Sequence, residues 1–161
     1  MTSSIRDTDL TEEIADLIRE TYSENLPVTL RVSKIGDRTS GVLRVTEDGR
    51  ERARTISSHV FGLLSESKRT MARPGSGTWI TFEMEITSDG RAATRCDYGA
   101  PILWGPTGGP GADAYRLELE RYPRDPDRIP AWWQNILDEP SVAWVPSREW
   151  LDEMDARFAG A

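Results

Sequence analysis

Three carboxylates come nearest to forming a reactive group. Glu83 and Glu85 alternate with Phe82, Met84 and Ile86, which places them on the polar side of a strand, and Asp97 can lie on the same side of the strand that follows. Carboxylates gathered on one sheet face can act as an acid/base pair or hold a divalent cation. Arg95 and several threonines are interleaved with them, and that pattern describes a salt-bridged, solvated face or a charged partner-binding face at least as well. The single histidine, His59, precedes core-facing Val60 in a helical stretch; with no second histidine for a zinc site, it reads as a surface or boundary residue. Cys96 is the only cysteine. It has no disulfide partner, and its strand position turns it toward Phe82 as a buried, inert thiol. Gly108-Gly109-Pro110-Gly111 lacks the Gly-Lys-Ser/Thr ending of a phosphate-binding loop and has no strand leading into it, so it reads as a flexible loop. No catalytic, metal or cofactor-binding residue is assigned.

A second set of residues suits recognition better than catalysis. Trp104 lies in a Gly/Pro-rich loop, and Trp132-Trp133 opens a short helix, where only one of two adjacent rings can point squarely inward. An exposed tryptophan is a good interface anchor. The alternative is that these rings cover one end of the core. Around them, residues 113–161 carry eleven acids against six arginines. Trp104, Glu118, Glu120, Asp125, Asp127, Trp132 and Trp133 are therefore the candidate partner-binding residues.

These residues need a scaffold, and 161 residues favour one domain with one core. Net charge is −7, which disfavours nucleic acid and anionic membranes and can steer a basic partner. Residues 1–17 show neither the basic start nor the apolar run of a signal peptide, and no segment reads as a membrane span, so the cytoplasm is the expected location.

Hydrophobic periodicity predicts the elements. Leu10, Ile14, Leu17, Ile18 and Tyr22 mark a helix over 9–23, with Asp9 as its cap. Val28, Leu30 and Val32 alternate as a strand, and Val42, Leu43 and Val45 form a second; 50–54 either extends it or starts the next element. A helix follows over 55–71. Ile80 to Ile86 is the clearest strand and returns through Ala92–Tyr98. A two-residue Asp89-Gly90 turn would place Arg95 and Asp97 on the core face. A three-residue loop with Gly90 left-handed instead sets Ile86 opposite Ala92, Met84 opposite Thr94 and Phe82 opposite Cys96, and burial decides for it. Residues 99–112 form a loop. Short helices follow: one capped by Asp113, one with Pro130 in its first turn, and one capped by Ser147. The expected architecture is α+β, order α-β-β-α-β-β then short C-terminal helices, with an antiparallel sheet from two hairpins and helices on one face.

Residues 70–133 resemble the YezG-like immunity proteins, antitoxins of bacterial polymorphic toxin systems. The resemblance rests on Met71-Ala72-Arg73-Pro74-Gly75-Ser76-Gly77-Thr78-Trp79, on Asp97-Tyr98, on Tyr115 with Leu119-Glu120-Arg121-Tyr122-Pro123-Arg124-Asp125, and on Ile129-Pro130-Ala131-Trp132. It implies stoichiometric binding of a cognate toxin domain, with no catalytic residue to transfer. Two other readings are a small metal-dependent or acid/base enzyme built on Glu83, Glu85 and Asp97, and a chaperone or adaptor for a secreted protein.

Overall fold

The computed structural model describes residues 5–106, 108–139 and 148–158. Its elements run α1 (Ile5–Thr21), β1 (Val28–Ile35), β2 (Arg38–Glu47), β3 (Arg50–Arg54), α2 (Ser58–Thr70), β4 (Thr81–Ile86), β5 (Ala92–Asp97), α3 (Ala112–Arg121), a 3-10 turn (Pro126–Arg128), α4 (Ala131–Asp138) and α5 (Arg148–Phe158). The strands form one antiparallel sheet in the order β3-β2-β1-β4-β5. The expected α+β architecture is present.

Residues 50–54 are a strand of their own. Asp48 and Gly49 both take positive φ (51° and 73°) and close a two-residue hairpin, with β3 paired along β2. That backbone twist matches the strands, which is why Asp-Gly suits the position. The β4–β5 register is the one that burial selects: Ile86 opposite Ala92, Met84 opposite Thr94, Phe82 opposite Cys96. Gly90 sits at φ 85° in the loop, and the Thr87 amide donates to the Arg91 carbonyl at 2.9 Å to close it.

The main core lies between the sheet and α1 with α2. Val28, Leu30, Val32, Leu43, Val45, Phe82, Met84 and Ile86 meet Leu10, Ile14, Ile18, Val60, Leu63 and Leu64. α1 starts earlier than expected, at Ile5, so Asp9 is an internal residue and not its cap. Asp7 is buried in the first turn, where its Oδ1 accepts a 2.6 Å hydrogen bond from Thr70 and ties α1 to the end of α2. Ser57 caps α2 by accepting from the Val60 amide. Gly111, not Asp113, occupies the cap of α3, and Pro130 is the cap of α4. Ser147 lies outside the described residues.

A second core forms at one end of the sheet from Ile35, Ile80, Ile102, Trp104, Ala114, Tyr115 and Trp133. The chain bends at Ile80, so Trp79 enters the main core while Ile80 enters the second, reversing the alternation that holds from Phe82 onward. The Tyr115 ring meets Trp132 and Trp133 edge-on, at 6.0 and 5.5 Å between centroids. That geometry favours the ring quadrupoles. Among the described residues no helix is long and apolar enough to cross a membrane.

Candidate functional site

The strand registers lay out the sheet face opposite α1 and α2 as three rows across β2, β1, β4 and β5. One row reads Ser40, Ser33, Thr81, Asp97; the next Val42, Arg31, Glu83, Arg95; the third Arg44, Thr29, Glu85, Ala93. The first row runs under the second core. Ser33 and Thr81 are buried there and share a 2.9 Å hydrogen bond, which satisfies both hydroxyls. The other two rows floor a groove of about 670 Å³, walled by Leu103, Trp104, Gly105 and Pro106. Leu103 is the large apolar residue left exposed at this wall.

The carboxylates of this face do not converge. Glu83 stands between Arg31 and Arg95 across the strands, with Arg31 Nε at 3.5 Å. Asp97 turns to its own chain: Oδ1 accepts from the amides of Gly99 (2.9 Å) and Ala100 (2.8 Å), and Oδ2 accepts from Arg95 (3.3 Å). Burial pushes the Asp97 carboxyl up, but those amides and the Arg95 guanidinium outweigh it and hold its pKa below the ordinary value. Among the described residues no group of three His, Cys, Asp or Glu side chains is placed to hold a metal ion.

The partner-binding candidates divide sharply. Trp104 is only 8% exposed, and its Nε1 donates to the Tyr115 hydroxyl at 3.2 Å. Trp133 is fully buried, and Trp132 is half-buried with its Nε1 donating to the Gly99 carbonyl at 2.8 Å. These rings close one end of the molecule instead of standing out as anchors. The glycine loop serves the same packing, since a Cβ on Gly109 would lie 2.4 Å from the Trp104 ring. Glu120, Asp125 and Asp127 are exposed. Glu118 is not: it is 1% exposed and cannot steer a partner from there.

Glu118 instead forms a buried ion pair that sequence reasoning missed. Its Oε1 lies 2.5 Å from Lys68 Nζ, and its Oε2 accepts from the Gly36 amide at 2.8 Å. Lys68 also donates to the carbonyls of Trp79 (2.7 Å) and Lys34 (3.1 Å). Burial pushes the Lys68 ammonium down to about 8, against the opposing pull of Glu118. The pair joins α2 to α3 where the two cores meet. A signal was present in helical phase: Lys68 follows Leu64 by four residues and precedes Met71 by three, and Glu118 follows Tyr115 by three. Each helix carries one charge on its apolar stripe, and the signs are opposite.

His59 is exposed on α2, in line with its expected surface role. Cys96 is half-buried against the main core, with Sγ 3.9 Å from Met71 Sδ, and burial pushes its thiol up to about 11. A thiol so shifted is a poor nucleophile near neutral pH.

No protein-family model matches the chain, and no curated protein matches it significantly.

Proposed function

We propose that this chain is an immunity-type protein that neutralises a cognate toxin by stoichiometric binding, and that it engages the toxin through the sheet face that the described residues leave uncovered. The observation that carries this reading is the groove floor itself. Arg31, Glu83 and Arg95 alternate in sign across one row beside Arg44 and Glu85 in the next, against a wall bearing exposed Leu103. Alternating charges on a rigid sheet discriminate among partners by pairing and by repulsion, and an apolar rim residue supplies area that can be desolvated. The net charge of −7 and the exposed Glu120, Asp125 and Asp127 favour approach by a cationic partner, as expected of a toxin that acts on a polyanion. The family resemblance of residues 70–133 supplies the class of partner.

An enzyme built on Glu83, Glu85 and Asp97 is less well supported, because Glu83 is ion-paired and Asp97 is engaged by backbone amides. The test is co-expression with the product of the adjacent gene, followed by size-exclusion chromatography with light scattering. The expected result is a product that is toxic alone, harmless in the presence of this chain and held in a complex of defined ratio. A product harmless by itself, or two proteins that fail to associate at micromolar concentration, would contradict the proposal.

A further inference from the structure

The outer strands of the sheet, β3 and β5, are guarded differently. An outer strand presents backbone N–H and C=O groups that another strand can join, and charged side chains along it deter that. On β3 all five residues are exposed, and Arg50, Arg52 and Arg54 share one face. Two copies of β3 meeting antiparallel over their full length would set Arg52 against Arg52 and Arg50 against Arg54. Like charges directly opposite each other destabilise a strand pair, so β3 repels a second copy of itself.

β5 carries no such guard. Ala93, Thr94 and Arg95 in its middle are exposed. Thr94 pairs with Met84 and so lies on the face toward α1, whereas Ala93 and Arg95 lie on the other face. The middle of the strand is therefore open on both faces. Among the described residues no strand pairs with its outer side.

The backbone of β5 is set for a further partner. The Arg91 carbonyl accepts from the Thr87 amide at 2.9 Å, and the Asp97 carbonyl from the Ile80 amide at 2.8 Å. Both carbonyls thus point toward β4 and its flanks. Alternation along the strand then turns the N–H and C=O groups of Ala92, Thr94 and Cys96 outward.

A second copy of β5 fits these groups in a full-length register. Residues directly opposite in a ladder share a face, so an antiparallel pair centred on Thr94 sets it opposite the partner's Thr94. Cys96 then meets the partner's Ala92, Arg95 meets the partner's Ala93, and Asp97 meets the partner's Arg91. The outward backbone groups of each copy face those of the other. No like charges meet, and each end brings together opposite charges. Centring the pair on Arg95 instead would set that residue opposite the partner's Arg95.

We propose that two copies of this chain associate through β5, antiparallel and centred on Thr94, so that their sheets join across a twofold axis. Ala93, Thr94 and Arg95 also line the sheet-face groove, so the association carries the groove floor from one copy to the next. A single six-residue strand is a small contact. The association is accordingly weak, with a dissociation constant on the order of 100 μM, and the chain is monomeric at low micromolar concentration. This goes beyond the proposed toxin binding and is measured on the chain alone, so its failure leaves that reading untouched.

The test is analytical ultracentrifugation of the full chain from about 10 μM to about 1 mM, with amide NMR spectra over the same range. The mean mass should rise from monomer toward dimer, and the amide shifts that move with concentration should centre on Ala92, Thr94 and Cys96. Thr94→Arg gives β5 the guard that β3 has, by setting two arginines opposite each other on the axis. It should weaken association at least about tenfold with the rest of the spectrum unchanged. Thr94→Pro removes an outward N–H that the β4 pairing does not use, and provides a second reading if Thr94→Arg fails to fold. A constant monomer mass up to about 1 mM, concentration-dependent shifts confined to other surfaces, or a folded Thr94 variant that associates as tightly as the unchanged chain would overturn the proposal.

Discussion

The two faces of the sheet are built on different principles. Toward α1 and α2, every second residue from Val28 to Val32 in β1 and from Phe82 to Ile86 in β4 is aliphatic, aromatic or Met, and the main core is continuous. Toward the other side, the same strands present Ser33, Arg31 and Thr29, then Thr81, Glu83 and Glu85, and the face is divided. One end is sealed by tryptophans, a tyrosine and a buried ion pair, and the described residues leave the remainder open. The first face depends on apolar area and strand period. The second depends on specific polar pairings, so its sealed end should be sensitive to single side chains and its open floor tolerant of them.

The sharpest way to break that comparison is at the ion pair. Lys68→Met leaves Glu118 buried without its cation, and about 3–5 kcal/mol of stability should be lost. Adding Glu118→Leu in the same chain should restore much of it, because removing both charges removes the desolvation cost as well. Urea unfolding of the two variants measures this. A double variant no more stable than the single one would show that the α3 contacts, and not the charges, hold the seam.

Glycines sharpen the same contrast. Gly36 and Gly90 both hold positive φ, at 57° and 85°. A Cβ at Gly36 would lie 2.5 Å from the Ala114 carbonyl oxygen in α3, whereas nothing lies within 4 Å of one at Gly90. Gly36→Ala should therefore cost about 2 kcal/mol or more, combining backbone strain and lost docking of α3, and Gly90→Ala only about 1 kcal/mol from strain. Equal losses in thermal unfolding would mean that α3 does not dock on the Gly36 turn.

Titration gives a smaller effect with opposed signs. Between about pH 8 and pH 10.5, the unfolded chain carries a proton on Lys68 that the folded chain has lost, so this group makes stability rise with pH. Lys34, also shifted down by burial, acts in the same sense. Cys96 acts the other way between pH 9.0 and about 11, where the folded thiol keeps a proton that the unfolded one releases. In a Cys96→Ala background, stability should rise by about 1 kcal/mol from pH 8 to pH 9 in denaturant titrations. In the native protein, labelling of Cys96 at pH 8 should be slower than in the unfolded chain by about a hundredfold or more. Equal labelling rates would show that the thiol is not protected.

Much of the first face was legible in the sequence. The β4–β5 register follows from the period of two and from the need to keep Arg95 and Asp97 off the core, and Gly90 supplies the turn that permits it. The second core was not legible, because a fourteen-residue Gly/Pro loop and short helices have no period to read. The sequence allows Trp104 either as an anchor exposed in a Pro/Gly loop or as a ring covering one end of the core, and Gly109, lacking a Cβ, lets the backbone settle on the ring as the second reading requires. Glu118 was grouped with the steering acids because a charge count ignores helical phase. Phase is what separates it from Glu120, two residues away and exposed.

The smallest expected effect on stability is on the open floor, and there the consequence for binding should be largest. Leu103→Asp, in the wall beside that floor, should change unfolding free energy by less than about 0.5 kcal/mol. Reversal of Glu120, Asp125 and Asp127 should mainly slow association with the toxin and flatten its salt dependence.

The most direct test of the central claim is hydrogen exchange of this chain, free and bound to the product of the adjacent gene, combined with the affinity of the Leu103→Asp variant. Binding through the sheet face predicts new protection at the Leu103–Pro106 wall, in the Arg38–Val42 part of β2 that β3 does not pair, and along edge strand β5, and an affinity at least about tenfold weaker in the variant. New protection confined to α1 and α2, with unchanged affinity in Leu103→Asp, would contradict it.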